Sequence, residues 1–197
     1  MNTVIIKYNA GNIRSVLFAL ERIGVQATVS DDPARIAGAD KVIFPGVGEA
    51  STAMQYLRER ELDRLILSLQ QPVLGICLGM QLLCAHSEEN NTDCLGVFEN
   101  IQVKRFGPTD PRLKVPQIGW NNIYGLRSPL FEAVPEQTFA YFVHGYYAAL
   151  SPCTIARAGY SLEYSAALQK NNFYGVQFHP EKSAAAGEQI LKNFIRL

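Results

Sequence analysis

Four cysteines and three histidines are the side chains of this sequence most suited to nucleophile and base chemistry. Cys77 stands out because it is the centre of a Gly-x-Cys-x-Gly run, Gly75 to Gly79, that follows the short apolar run 72–76. A sharp turn between a buried strand and a helix strains the backbone of its central residue, and flanking glycines relieve the crowding there. The positive end of the following helix also favours a thiolate. The pattern therefore predicts a nucleophile at Cys77, with a buried structural cysteine as the alternative.

The other three cysteines are predicted to be structural or incidental. Cys84 is seven residues beyond Cys77, on the same face of a helix expected to continue to Ala85, and we assign it to the core. Cys94 and Cys153 have no motif around them. No two cysteines form a C-x-x-C pair, so the sequence gives no support to a disulfide or a structural zinc site.

A cysteine nucleophile needs a base, and usually a third group that fixes the tautomer of that base. His179 follows an apolar run and is followed by Pro180 and Glu181. Proline favours an extended backbone at the residue before it, and residues two apart in an extended segment point the same way. His179 and Glu181 can therefore face one site together.

The remaining histidines are weaker candidates for the base. His144 also follows a strand, but no acidic residue occurs within the next several positions, and His86 lies beside two glutamates in a polar stretch expected to be solvated surface. The order cysteine, histidine, acid also differs from the nucleophile, acid, histidine order of α/β-hydrolases. This order argues against an esterase.

Backbone amides for an oxyanion are expected from the segment Pro45-Gly46-Val47-Gly48, which ends a predicted strand. Taken alone, Pro-Gly is typical of an ordinary turn, and no Gly-Lys-Ser/Thr follows that would make a phosphate-binding loop. The position at the carboxyl edge of a strand nevertheless brings flexible amides near the predicted nucleophile. Together with the amide of Leu78, they could stabilise a tetrahedral oxyanion.

The elements that must position these residues alternate between strand and helix in the first half of the chain. Apolar β-branched runs and three- and four-residue apolar spacing predict strands over 3–6, 25–29, 41–44 and 72–76 and helices over 13–23, 49–69 and 78–85. Such alternation requires crossover helices between parallel strands. The second half has alternating apolar and polar residues, which predicts strands over 98–104, 139–143, 166–169 and 173–178 before a last helix over 184–195. The predicted fold is α/β: an open, mostly parallel central sheet with helices on both faces and some antiparallel strands in the second half.

Length and composition fit a single domain over residues 1–197, since a chain of this size can bury one core. Eighteen basic residues balance 18 acidic ones without a block of like charge, so neither nucleic acid nor a membrane surface is an expected partner. The amino terminus lacks the features of a signal peptide, and no run is long enough to span a bilayer. A cytoplasmic protein with reduced cysteines is expected.

Three separate segments match one family: 45–48, 75–81 and 177–183, the last reading Gln-Phe-His-Pro-Glu-Lys-Ser. Together they resemble the class I glutamine amidotransferases. Further segments, 8–15, 115–121 and 141–147, are similar to the glutaminase subunits of imidazole glycerol phosphate synthases, which serve histidine biosynthesis. The resemblance extends from the first predicted strand to the last helix.

The resemblance implies a role for each matching position. Cys77 would attack the side-chain amide of glutamine, His179 would shuttle the proton and Glu181 would orient His179. The oxyanion amides would come from Val47 and Leu78, and the Val47 peptide would have to turn before it could donate. Two further sets follow: glutamine would be held at Gly48, Gln81, Gly145 and Tyr146, and the partner-facing edge would include Asn12, Trp120, Tyr141 and Lys182.

Two positions depart from the pattern of these subunits. Gln117 stands where a histidine is expected, and Gly145 stands where serine or threonine is expected. A glycine at position 145 can offer the substrate a backbone contact but no side-chain contact.

The implied partner is a (β/α)8-barrel cyclase that forms a heterodimer with the glutaminase and uses its ammonia; the substrate is L-glutamine, and neither a cofactor nor a metal is expected. The nearest alternative is a glutaminase that feeds another synthase, such as pyridoxal-phosphate synthase, against which the segments 119–121 and 142–147 argue. A catalytically silent binding module of the same fold would be expected to have lost Cys77, His179 or Glu181. A stand-alone cysteine hydrolase is the remaining alternative, and isolation of a barrel partner would separate it from the others.

Overall fold

The computed structural model describes residues 1–9, 12–107 and 113–197. Within these ranges the strands are β1 (Thr3–Ile6), β2 (Ala27–Ser30), β3 (Lys41–Phe44), β4 (Val73–Ile76), β5 (Cys84–Ser87), β6 (Thr92–Asp93), β7 (Phe98–Arg105), β8 (Gln117–Ile123), β9 (Thr138–His144), β10 (Tyr146–Ala148), β11 (Thr154–Gly159), β12 (Glu163–Lys170) and β13 (Phe173–Val176). The helices are α1 (Ile13–Arg22), α2 (Pro33–Ala37), α3 (Ala50–Glu59), α4 (Leu62–Ser68), α5 (Leu78–Leu83) and α6 (Ala184–Arg196). No helix of the described ranges is long and apolar enough to cross a membrane.

The main sheet has the strand order β2-β1-β3-β4-β13-β12-β10-β7-β5-β6, and β11 pairs with β12. The strands β2, β1, β3, β4 and β13 pair in parallel. Antiparallel pairing then joins β13 to β12, β12 to β10 and β10 to β7. The predicted fold class is confirmed: a parallel region carries the nucleophile turn, and most antiparallel pairs involve strands from the second half of the chain, with β5 and β6 an antiparallel pair from the first half.

Helices cover both faces of the parallel region because its strands are buried on both sides. Val4, Val42 and Val73 pack in one core cluster with residues of α2, α3, α4 and α5. Their strand neighbours Ile5, Ile43 and Leu74 pack in a second cluster with residues of α1 and α6. Alternate side chains of a strand point to opposite faces, so continuous apolar strands of this kind need a helical layer on each side.

The helix predicted over 49–69 is wrong as a single element. The chain ends α3 at Glu59 and starts α4 at Leu62, with Glu61 between them in the left-handed region at φ 55°. Buried Leu57 and Leu62 are five residues apart, which on a straight helix would place them about 140° from each other. A break between them lets both side chains reach the core.

The helix predicted over 78–85 ends two residues early, at Leu83. Cys84 begins β5, which pairs in parallel with β7, so this cysteine is buried as predicted but not on a helix. Pairing with a distant strand overrides the local helical pattern here. His86, predicted in a polar loop, also lies in β5, where it is half-buried and its Nδ1 is 3.1 Å from Asp93 Oδ1.

Other strand boundaries differ from the predictions by one to three residues, as at β2, β4, β12 and β13. Helix α2 and the strands β5, β6, β8, β10 and β11 were not predicted. The loop predicted before α1 includes residues 10–11, which lie outside the described residues. Strands β8 and β9 form a separate two-stranded antiparallel sheet, and this sheet matters for the partner-facing edge described below.

Candidate active site

Cys77 occupies the turn between β4 and α5 and is the residue that caps the helix. Its backbone has φ 51° and ψ −108°, outside the regions that non-glycine residues ordinarily adopt. Its amide donates to the Val176 carbonyl at 2.8 Å, which ties the turn to β13. The strained turn and the helix start predicted from the Gly-x-Cys-x-Gly run are therefore both present, and strain of this kind often accompanies function.

The flanking glycines are required by close packing around this turn. A Cβ on Gly79 would overlap the Phe44 carbonyl oxygen of β3. A Cβ on Gly75 would lie 2.8 Å from the backbone of Gly79 and Met80. Helix α5 can therefore start directly against the ends of β3 and β4, where it holds Cys77 at the carboxyl edge of the sheet.

His179 and Glu181 meet behind Cys77 as a buried pair. The His179 Nδ1 and Glu181 Oε1 atoms are 2.7 Å apart, and the two side chains are 1% and 0% exposed. His179 has an extended backbone, with φ −99° and ψ 95°, and Pro180 begins a short 3₁₀ turn. Because Nδ1 faces the carboxylate, Nε2 is the ring nitrogen left for Cys77, whose charge acts on the ring.

Asn12 adds a contact that sequence reasoning missed. It precedes α1 with a left-handed backbone at φ 72°, and its Nδ2 donates to Glu181 Oε1. The same nitrogen is 3.5 Å from His179 Nδ1. Asn12, predicted at the partner-facing edge, therefore also touches the buried His179–Glu181 pair.

The charge state of His179 follows from its neighbours. Burial opposes the charged ring, but the charge and hydrogen bond of Cys77, together with Glu181, raise the pKa of His179 to about 10. The structure therefore favours an imidazolium beside a cysteine sulfur, the arrangement that activates cysteine nucleophiles.

His144, the rival base, lies close to the site but is not aimed at the sulfur. Its Nδ1 donates to the Tyr146 carbonyl at 2.7 Å, and its Nε2 is 3.1 Å from Gln117 Oε1 and 3.3 Å from the Tyr164 hydroxyl. Burial lowers the pKa of His144 to about 4. In the neutral ring Nδ1 carries the proton, so Nε2 accepts from the Tyr164 hydroxyl, and Gln117 belongs to the same polar cluster.

A cavity of about 410 Å³ opens in front of Cys77. It brings together the predicted oxyanion and glutamine-binding positions, namely Val47, Gly48, Leu78, Gln81, Gly145 and Tyr146. Its wall also includes Glu89 and Arg105, which sequence reasoning missed because they come from a separate loop and from β7. Opposite charges on one wall suit a ligand that carries both an ammonium and a carboxylate group.

The oxyanion segment is held in a conformation that does not offer both amides. The Leu78 amide donates to the Gly46 carbonyl at 3.3 Å. Since C=O and N–H point in opposite directions across a trans peptide, the Val47 amide points away from Leu78. The Tyr8 hydroxyl fixes the preceding Pro45 carbonyl at 2.5 Å. Rotation of the Gly46–Val47 peptide would free the Leu78 amide and turn the Val47 amide towards the same point.

Gln177 is the other contact that sequence reasoning missed. It is completely buried, and its Nε2 is 3.6 Å from the Cys77 sulfur. The available signal was its position two residues before His179, because residues 177, 179 and 181 have the spacing that places side chains on one side of an extended chain.

Three of the residues predicted at the partner-facing edge, Trp120, Tyr141 and Lys182, form one cluster on the β8–β9 sheet and the adjoining turn. The Trp120 and Tyr141 ring centroids are 5.8 Å apart, and Lys182 Nζ is 5.9 Å from the Tyr141 centroid. Trp120 is 52% exposed, and the nearby side chains of Ile118 and Phe139 are more exposed still. We call these five side chains the edge patch; exposed apolar surface of this kind commonly marks a protein contact.

Three features together define a cysteine-dependent amidotransferase: the nucleophile turn, the buried histidine–glutamate pair and the parallel α/β sheet. The chain belongs to the glutamine amidotransferase class-I family, whose sequence profile matches residues 4–197. Within that family it is 56% identical over 197 residues to the imidazole glycerol phosphate synthase subunit HisH of Bacteroides fragilis strain YCH46, with 100% of both chains covered. The subunit of the same name from Escherichia coli strain K12 is 47% identical over 199 residues, again with 100% of both chains covered. Among solved structures, PurLQS from Thermotoga maritima aligns with a TM-score of 0.75 at 15% identity, covering 99% of this chain and 97% of that one, which shows the shared fold.

Proposed function

We propose that this chain is the glutaminase subunit of imidazole glycerol phosphate synthase. It hydrolyses glutamine to glutamate and ammonia, and a cyclase subunit uses the ammonia to make imidazole glycerol phosphate and an aminoimidazole carboxamide ribonucleotide in histidine biosynthesis. Full-length relatives at 47% to 56% identity that carry this subunit name support the assignment. The observation that carries the chemistry is the buried His179–Glu181 pair beside Cys77, at the wall of a cavity of substrate size.

In the first half of the reaction, the Cys77 thiolate attacks the carbonyl carbon of the glutamine side-chain amide. The carbonyl oxygen becomes an oxyanion, and His179 gives its proton to the departing nitrogen. The C–N bond breaks, ammonia leaves, and a γ-glutamyl thioester remains on Cys77. Glu181 stabilises the charged ring and holds its tautomer throughout.

In the second half, a water molecule replaces ammonia beside the thioester. His179 takes a proton from this water as the oxygen attacks the thioester carbonyl, and the C–S bond then breaks. Glutamate leaves, and the Cys77 thiolate and the His179 imidazolium are restored. The overall balance is one glutamine and one water consumed for one glutamate and one ammonia.

The two charges on the cavity wall orient the substrate. The α-ammonium group of glutamine faces Glu89, and its carboxylate faces Arg105, so the side-chain amide extends towards Cys77. Gly48, Gln81, Gly145 and Tyr146 supply the remaining walls. Glutamine fits this distribution, because it has charges of both signs at one end and a neutral amide at the other.

The edge patch supports a partner next to the catalytic pair. We assign it, with Asn12, to the contact with the cyclase, a (β/α)8 barrel that forms a heterodimer with this chain. Ammonia in neutral water is mostly protonated and then no longer nucleophilic, so direct transfer across this contact protects the product. Residues 1–197 act as one domain, and a thiol nucleophile suits the reducing cytoplasm.

Labelling with 6-diazo-5-oxonorleucine, an electrophile derived from glutamine, tests the nucleophile. We expect mass spectrometry to locate the label on Cys77 and expect Cys77→Ala to abolish glutamine hydrolysis. Cys94→Ala is the matched control, since Cys94 lies outside the cavity, and it should retain activity. A label on Cys84 or Cys94 would show that Cys77 has been wrongly assigned.

The ammonia-dependent reaction tests the division of labour between the two subunits. With its cyclase partner, the Cys77→Ala chain should still support product formation when ammonia is supplied, because the cyclase does not use the thiol. If the complex forms but the ammonia-dependent reaction is lost, the proposed role of Cys77 is wrong.

A further inference from the structure

We infer that Gln177 is a positioning residue that donates a side-chain N–H to the Cys77 sulfur and thereby holds and stabilises its thiolate. The inference rests on the proposed role of Cys77 as the nucleophile. Gln177 is neither a member of the cysteine–histidine–glutamate set nor a residue that lines the cavity. It acts on the reaction through the sulfur alone.

The burial of the Gln177 amide indicates that its hydrogen bonds are made inside the protein. The side chain is fully buried beside Phe178 and Val176, and burying an amide is unfavourable unless its hydrogen bonds are made. Its Oε1 accepts from Gln81 Nε2 at 2.9 Å. Its Nε2 lies 3.6 Å from the Cys77 sulfur. An apolar side chain would fill the same space without this cost, so the amide is best explained by the two hydrogen bonds.

The orientation of the Gln177 amide follows from a backbone carbonyl. The Tyr146 carbonyl can only accept, and it lies 3.1 Å from a terminal atom of Gln81, which must therefore be the NH₂ group. The same NH₂ group donates to Gln177, whose facing atom must be its oxygen. The NH₂ group of Gln177 is then the end directed at Cys77. One fixed acceptor thus removes the usual ambiguity between amide oxygen and nitrogen for both glutamines.

The groups around the sulfur include both hydrogen-bond donors and an acceptor. Gln177 donates to the sulfur and the charge of the His179 ring acts on it, whereas the Val143 carbonyl, 3.7 Å from the sulfur, can only accept. A protonated thiol can donate to Val143, and a thiolate requires donors instead. The Gln177 N–H is therefore a donor that supports the ionised form in addition to the charge of His179.

The same hydrogen bonds join the substrate cavity to the nucleophile. Gln81 and Tyr146 are on the cavity wall, and Gln81 bonds to both the Tyr146 carbonyl and Gln177. A shift of Gln81 when glutamine binds would be passed directly to the N–H that faces the sulfur.

The test is the pH dependence of Cys77 alkylation by iodoacetamide, with the modified peptide identified by mass spectrometry. In Gln177→Met, which keeps the size and removes the N–H, the midpoint of the alkylation profile should move upward by about one pH unit, as expected for loss of a hydrogen bond to a charged group. Gln169→Met is the matched control: it removes a glutamine amide on the neighbouring strand β12 that bonds to the Tyr174 hydroxyl instead. Its midpoint should match the unaltered protein.

A second readout uses the unaltered protein and does not depend on a folded variant. The side-chain amide resonances of Gln177 should shift with pH at the same midpoint as alkylation, because the N–H faces the ionising sulfur. A Gln177→Met profile that superimposes on the control, or Gln177 resonances that stay fixed while Cys77 ionises, would overturn the inference. If 6-diazo-5-oxonorleucine labels another residue, the proposed function fails as well; if it labels Cys77 while these readouts do not move, only the role of Gln177 fails.

Discussion

At the scale of single residues, the cavity wall at Gly145 has room for a larger side chain. A Cβ there would lie 3.7 Å from Val115 Cγ1 and 3.9 Å from Pro116 Cβ, which are ordinary contact distances. The glycine in place of the expected serine or threonine is therefore not imposed by lack of space. In the proposed glutamine site, Gly145 offers only backbone groups at this position.

Gly145→Ser should therefore fold normally and lower KM for glutamine by about 2- to 10-fold, the effect of one added hydrogen bond. Gly145→Ala is the matched control, because it adds the Cβ without the hydroxyl. Steady-state glutaminase assays with the partner present would measure both. Equal KM values for the two variants would mean that the hydroxyl does not reach the substrate.

His144 should make the protein sensitive to acid. Burial lowers its folded-state pKa from 6.5 to about 4, so between these values the unfolded chain binds a proton that the folded chain does not. The free energy of unfolding therefore decreases by about 3 kcal/mol in total as pH falls from about 6.5 to 4. In urea unfolding, His144→Gln should lose less unfolding free energy than the unaltered protein between about pH 6.5 and 4. His86→Gln is the control for removal of a half-buried histidine. An unchanged pH slope in His144→Gln would contradict this assignment.

At the scale of elements, the start of α5 is fixed by contacts with two strands. The helix is only six residues long and all of its residues are buried, so its position depends on packing. Gly79 permits the closest approach, against the carbonyl of Phe44 at the end of β3. The geometry of Cys77 is therefore set by the sheet as much as by the turn itself.

Gly79→Ala should destabilise the fold by about 3 kcal/mol or more, at or above the usual range for overpacking. The new Cβ would overlap backbone atoms of Phe44, which cannot move aside as a flexible side chain could. Gly159→Ala is the matched control: its new Cβ would meet the Tyr124 hydroxyl at an ordinary 3.6 Å. Its stability should stay within about 0.5 kcal/mol of the unaltered protein. Thermal or urea unfolding would compare the two, and equal stabilities would refute the packing argument.

At the scale of the whole molecule, the edge patch and the catalytic pair are in contact through neighbouring residues. Asn12 is hydrogen-bonded to Glu181. Lys182, which follows Glu181 in the chain, lies over the ring of Tyr141. A partner that binds the edge patch would therefore contact Lys182, which adjoins Glu181, the hydrogen-bond partner of His179. In the proposed mechanism, segment 45–48, held by the Leu78 to Gly46 hydrogen bond, is the part of the site that must change before both amides can donate to an oxyanion.

The chain alone should therefore be a poor glutaminase, and the cyclase loaded with its nucleotide should activate it. A missing oxyanion donor reduces rate by about 10²–10³, so rotation of one peptide could account for an activation of that size. Glycines on both sides of Val47 make the rotation sterically inexpensive. Glutamine turnover should be compared for the chain alone, with the cyclase, and with the cyclase and its nucleotide. Equal turnover in all three would exclude this switch.

Local sequence determined the parts of this protein that depend on neighbours along the chain. The strand and helix around Cys77 and the apolar strands of the parallel region follow from short-range spacing and backbone preference. His179 is extended as predicted, but Glu181 lies in a 3₁₀ turn, so its approach to His179 does not come from an extended segment. The segments that matched the class I glutamine amidotransferases were likewise local.

Tertiary structure decided everything that required distant segments to meet. The ends of α3 and α5 were set by core packing and by the pairing of β5 with β7, against the local helical pattern. Asn12 reached Glu181, and Gln177 reached Cys77, across 169 and 100 residues respectively. The Gly46 carbonyl turned towards Leu78 because two strand ends lie side by side. No periodicity encodes such contacts, since they depend on how the sheet brings separate strand ends to one edge.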